Sequence, residues 1–194
     1  MTRDWFSTGH SAWTLALPLI GVLLLLQLTT LPQRLDNWLY DTLITTWPPE
    51  APEDVVIVAI DEKSLSAIGP WPWPRSVHAS LIDNLAKAGA ERIVLDILFT
   101  EPAMDDQILA KAMRSHGRVI LPLYVAPSSQ DDLFREQLPT PRLASAAFAI
   151  GHAHVELDSD GLARGLYLYN SLGNELWPAM ALATSSNTPS VAPV

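Results

Sequence analysis

The sequence predicts an α/β fold: a mainly parallel sheet flanked by helices as an α/β/α sandwich, with an antiparallel C-terminal hairpin and one membrane-spanning helix in front. Three observations carry this. Ala12 to Leu31 contains no charged residue. Beyond it, runs rich in β-branched residues alternate with runs of helical periodicity. Strand-helix-strand order of this kind builds parallel sheets covered by helices.

The N-terminal run comes first. It centres on Leu15 to Leu26 and has the roughly 20 residues a helix needs to cross a bilayer. Pro18 is tolerated in such a helix. Trp5 and Trp13 on one side, and Trp38 and Tyr40 on the other, suit the two interfaces. A cleaved signal peptide is the rival reading, with Arg3 as a thin basic start. Gln27 to Pro32 offers no small-x-small cleavage site, which favours an uncleaved anchor. The expected organisation is a short tail over 1–11, a transmembrane helix over 12–31, a domain over 34–184 and a disordered tail over 185–194.

The remaining elements follow in order. Arg34 to Trp47 is an amphipathic helix, with Leu35, Trp38, Leu39, Thr42 and Leu43 on one face. Pro48 to Pro52 stops it. Val55 to Ile60 is a β-branched run without alternation, which predicts a strand buried on both faces. Ser76 to Lys87 is a helix with Val77, Leu81, Ile82 and Leu85 inward, and Gly89 ends it. Arg92 to Phe99 is a second buried strand. Asp105 to His116 is a helix with Ile108, Leu109, Ala112 and Met113 inward. Val119 to Leu123 is a third strand, and Ala126 to Pro141 a surface excursion. Ala149 to Val155 and Leu162 to Tyr169 are expected to pair across the turn Asp158-Ser159-Asp160-Gly161. Pro178 to Thr184 begins a last helix.

Composition narrows the function. Of 12 basic and 21 acidic residues, only Arg3 and Asp4 precede Gln33, so the part beyond Gln33 carries the whole net charge of −9. A nucleic-acid partner needs a basic footprint and is excluded. The chain has no cysteine, which removes disulfides, thiolate metal sites and cysteine nucleophiles. Charge near the anchor gives no orientation, because Arg3 and Asp4 flank one end and Arg34 and Asp36 the other.

Four constellations could carry chemistry. Asp61 and Asp96 sit at the C-terminal ends of predicted strands, where open α/β sheets bind ligands. Together they could hold Mg²⁺ and a phosphate. The alternative is that Asp61 caps a short helix, and no phosphate-cradling glycine loop accompanies either residue. Gly69-Pro70-Trp71-Pro72-Trp73-Pro74-Arg75 is stiff and sets indoles beside a guanidinium. It suits recognition of a small polar or anionic ligand; alternatively the indoles close the core and Arg75 pairs with an acid. Contact of Arg75 with Asp61 or Asp96 is the expected form of that pair. His152 and His154 share one side of a predicted strand and would need a third ligand to hold zinc. The serines lack a nucleophile-elbow context.

Four blocks in sequence resemble the second CHASE family of bacterial sensory domains, the cyclases/histidine kinases associated sensory extracellular type. They are Arg34 to Asp41; Val58-Ala59-Ile60-Asp61-Glu62-Lys63-Ser64-Leu65 with the Trp71 to Arg75 block; His78-Ala79 through Gly89-Ala90 to Leu95-Asp96-Ile97-Leu98-Phe99-Thr100-Glu101; and Gly151 to His154 with Asp158 to Gly161 and Arg164. The resemblance implies a non-enzymatic signal-input domain outside the cytoplasm, entered from one N-terminal span in the inner membrane. It implies an output module, a cyclase, kinase or cyclic-di-GMP enzyme, normally on the same polypeptide. No such module is recognisable in the 194 residues, so the expectation is a lone sensory domain or a fragment.

The candidate ligand-binding or signalling residues are Asp61, Trp73, Arg75, His78, Asp96, His152, Asp160 and Arg164, with no cofactor, no metal and no catalytic residue. Expected partners are the lipid bilayer, a small-molecule signal and the output module, with a homodimer among the assemblies considered. Two other readings stay open: a membrane-tethered hydrolase or phosphatase using Asp61 and Asp96, and a ligand-free structural or assembly module.

Overall fold

The computed structural model describes residues 16–21, 25–26, 29–127, 134–171 and 175–185. It divides into two units, Met1–Ala59 and Ile60–Val194. In the first, residues 16–21 and 25–26 are helical, and α1 spans Leu31–Thr46 with Pro32 in its first turn. The expected membrane span over 12–31 falls partly outside the described residues. Among those described, no helix is long and apolar enough to cross a membrane. The expected face of α1 is real in periodicity, yet Leu35, Trp38, Leu39 and Leu43 are all exposed.

The run Val55 to Ile60 corrects the sequence reading. It is neither a strand nor buried, and Val56 and Ile57 are 81% and 88% exposed. β-branched composition favours extended backbone, but a strand also needs a neighbour to pair with, and composition cannot supply one. No ladder among the described residues includes it.

The second unit is built on β2 (Val119–Pro127). Its first half lies between β1 (Ile93–Val94) and β4 (Ala149–His152), both parallel to it, with Ile93 opposite Val119 and Leu121 opposite Ile150. Its second half pairs antiparallel with β3 (Phe134–Gln137). The expected surface excursion therefore returns to the sheet, and 128–133 lie outside the described residues. Strand alternation divides β2 between two cores. Val119, Leu121 and Leu123 join one cluster with Ile82, Leu109, Met113 and Leu143. Those side chains come from α3 (Arg75–Lys87), α4 (Asp106–His116) and the short α5 (Pro141–Ala144). Ile120 turns the other way, with Ala149 and Ala183, against α6 (Met180–Ser185). Helices thus cover both faces of a parallel sheet. Ahead of them, α2 (Glu62–Ile68) is a short exposed helix.

Helix ends follow their signals. Gly89, at φ +88°, ends α3, and Gly117, at φ +80°, ends α4. The inward face of α4 is Leu109, Ala110, Ala112 and Met113, but Ile108, expected inside, is 52% exposed. Beyond Leu95 the second predicted strand leaves its ladder; Leu95 and Phe99 remain buried while Asp96 and Leu98 are exposed.

The C-terminal hairpin is also corrected. β4 pairs in parallel with β2, and only the bridge Glu156–Gly165 crosses the predicted hairpin. The turn itself forms, with Gly161 at φ +81° donating to the Asp158 carbonyl. The antiparallel pair is instead β5 (Tyr169–Asn170) with β6 (Trp177–Pro178). A turn motif specifies its own hydrogen bonds, whereas β4 gains more by joining the buried sheet. The expected disordered tail lies beyond Ser185, outside the described residues.

α6 sits close on β4. A Cβ on Gly151 would lie 2.8 Å from the Met180 Cα and backbone nitrogen. Gly151→Ala must push α6 off the sheet, so it should destabilise the domain by about 1–3 kcal/mol. A lower urea midpoint at unchanged slope is the expected result.

Candidate ligand-binding site

The two indoles of the Trp-Pro-Trp-Pro-Arg segment meet edge to face, with ring centroids 5.7 Å apart, but differ in exposure. Trp73 is 8% exposed and donates from Nε1 to the Gly69 carbonyl at 2.8 Å. Trp71 is 45% exposed. Buried His78 packs against both, with ring centroids 5.7 Å from Trp71, 6.2 Å from Trp73 and 5.5 Å from Phe99. His78 Nε2 is buried without a hydrogen-bond partner. Burial pushes its pKa below the usual histidine value, the Arg75 charge lowers it further, and Asp105 opposes both.

Arg75 does not meet Asp61 or Asp96, which corrects the expected pairing. Its Nε donates to Asp106 Oδ1 at 2.9 Å, an Nη donates to the Glu101 carbonyl at 2.9 Å, and the guanidinium lies 4.4 Å from the Phe99 ring centre. Asp106 is buried, and its other oxygen accepts from the Ala103 N–H and the Thr140 hydroxyl, both at 3.2 Å. Beside it, Asp105 Oδ2 accepts from the Ser76 N–H at 3.1 Å and so caps α3 from a neighbouring helix. The physical reason is the packing of α3 on α4. Two helix N-termini meet there, and both favour carboxylates.

The other candidates have separate roles. Asp61 caps α2: its Oδ1 accepts from the Ser64 N–H at 2.8 Å and hydroxyl at 2.6 Å, which pulls its pKa down. Arg164 clamps the turn by donating to Asp158 at 2.6 Å and Asp160 at 2.8 Å. This holds the Asp160 pKa down at about 2. His152 is buried on β4 between Leu123 and Ala179, with neither ring nitrogen hydrogen-bonded. Burial lowers its pKa, and the nearby backbone of Tyr167 opposes this only in part. His154 stacks loosely on Tyr124 at 6.2 Å. Among the described residues, no group of three His, Asp or Glu is placed to hold a metal ion.

Asp96 alone of the candidates faces open space in a concave site. A cavity of about 590 Å³ is lined by Ile60, Trp71, Asp96, Ile97, Leu98, Pro122, Tyr124 and Ala153. It opens just past the C-terminal ends of β1 and β4, the edge where α/β sheets bind ligands, and its size is that of a small-molecule site. Of the eight candidates, only Asp96 lines it. Trp71 belonged to the motif singled out in the sequence but not to the candidate residues, and its outward placement comes with a bend over residues 70–72 that the motif did not specify. Tyr124 carried no signal, because β2 is longer than its apolar run.

A family model described as CHASE2 domain matches residues 17–190, nearly the whole chain, and the chain belongs to that family. This agrees with the resemblance drawn from the four sequence blocks. No curated protein and no solved structure matches it.

Two outcomes follow from the site's geometry. Arg75→Ala strands the buried Asp106 carboxylate and should cost about 3–5 kcal/mol in denaturant unfolding; an unchanged midpoint would refute the pairing. Because His78 is held neutral, its stabilising contribution is complete above the unfolded value of about 6.5 and is lost as pH falls through the lowered folded pKa. Stability should therefore drop on acidification below about pH 6.5. His78→Phe should make that slope shallower, the remainder coming from buried His152, whose pKa is lowered as well.

Proposed function

We propose that this chain is the signal-input part of a bacterial membrane receptor: an extracytoplasmic sensory domain held by one N-terminal span, its output carried by a separate module. Its membership in the CHASE2 domain family over residues 17–190 is the observation that carries this reading. CHASE2 domains are extracytoplasmic sensory domains, so a sensor role is consistent with the match. The charge-free run Ala12 to Leu31 supports the anchor, being about as long as a bilayer core requires. The cavity at the sheet edge supports small-molecule input. The carboxylates do not favour a hydrolase. Asp61 is engaged in capping α2, and Asp96 lines a mostly apolar cavity that Asp61 does not.

The absence of native cysteine makes placement directly measurable. Lys111→Cys puts one thiol on the exposed side of α4. In intact cells with a permeable outer membrane, an impermeant maleimide should label it, and the protein should resist carbonate extraction. Labelling only after lysis would reverse the orientation. Release by carbonate, or an N-terminus near Leu31 in the mature protein, would remove the anchor.

A further inference from the structure

The charge pattern of the cavity names a ligand class. Among the described residues, Asp96 is the one carboxylate in its lining, and no Lys, Arg or His lines it. Among the described residues no side-chain hydrogen bond or ion pair is made by Asp96, unlike most of the other acids singled out above. Asp61 is held by Ser64, Asp105 and Asp106 by the head of α3, and Asp158 and Asp160 by Arg164. The arginine of the Trp-Pro-Trp-Pro-Arg segment turns to Asp106, so it offers no charge to an anion here. What remains around Asp96 is two half-exposed aromatic rings, Trp71 and Tyr124, and an apolar wall of Ile60, Ile97, Leu98 and Pro122.

We infer that the cavity binds a small organic cation, an amine with an apolar body. Its ammonium pairs with Asp96, an aromatic face of Trp71 or Tyr124 adds cation–π attraction, and the apolar part lies on the aliphatic wall. An anion would meet an unpaired carboxylate with nothing to offset it, whereas the net charge of −9 concentrates cations around the protein. This replaces the anionic ligand expected from the motif alone. It rests on reading the domain as a signal receptor and specifies which signals fit.

The test uses the full chain in phosphatidylcholine nanodiscs, labelled with 5-fluorotryptophan. The probes are 2-phenylethylammonium and 3-phenylpropanoate, matched in ring and length but opposite in charge. Fluorine NMR follows the Trp71 resonance, assigned with Trp71→Phe, while buried Trp177 reports the fold. The cation should shift Trp71 saturably and leave Trp177 unmoved. Asp96→Asn should weaken that binding by about ten- to a hundredfold. The propanoate should have no saturable effect. Equal affinity in Asp96→Asn, or saturation by the propanoate instead, would overturn the cationic class and leave a signal cavity of another chemistry. Absence of a saturable shift at Trp71 with both probes would overturn the inference as well. The sensory placement is decided separately, by the thiol labelling in cells.

Discussion

The contact on which the second unit depends is the meeting of two helix N-termini at Asp105 and Asp106. One carboxylate caps α3 in trans through Ser76, and the other holds Arg75, Thr140 and the Ala103 amide. Three other chain segments converge on two adjacent side chains. Uncapped, the head of α3 would leave the part-buried Ser76 amide unsatisfied. A buried acid with a full set of donors is, conversely, stable only while all of them stay in place. This couples α3, α4, the loop after Phe99 and the start of α5 into one arrangement, and the sheet packs beneath it.

That node also explains the two faces of the tryptophan-proline segment. Arg75 is the first residue of α3, so pairing it with Asp106 sets the direction from which Trp73 and Trp71 approach. Trp73 closes the core and satisfies its indole through Gly69. Trp71, two residues earlier and within a bend over residues 70–72, lines the cavity. His78 packs against both, with its Nε2 buried without a partner and its pKa lowered by burial. One stiff segment therefore serves stability through its arginine and inner indole, and surface chemistry through its outer indole.

Much of this fold was readable as periodicity. The helices α3 and α4, with their glycine stops, appear where 3.6-residue spacing and positive-φ glycines place them. The parallel pairing of β1 with β2 follows from the strand-helix-strand order. Pairing was the unreadable part. Val55 to Ile60 has strand composition without a partner, and Ala149 to His152 chose the parallel sheet over the hairpin that its turn advertised. Partner choice was equally hidden for Arg75. The sequence shows an arginine and several aspartates, but only helix packing brings Asp106 to it. Conversely, the capping role of Asp61 was legible because it is local: acceptor and donors lie within three residues.

A cavity at the sheet edge can transmit a signal only if its ligand prefers one arrangement of the surrounding segments over another. The lining gives that requirement a structural form. Asp96, Ile97 and Leu98 belong to the same stretch as Phe99, which carries the Arg75 guanidinium on its ring and the His78 ring against its edge. The Phe99 carbonyl accepts from the Thr140 N–H at 2.8 Å, and the Thr140 hydroxyl reaches Asp106. A ligand that draws on Asp96 therefore pulls on residues one turn of chain away from the node that orders α3 and α4. The work available to signalling at such a node is bounded by the difference in ligand affinity between the arrangements the ligand distinguishes.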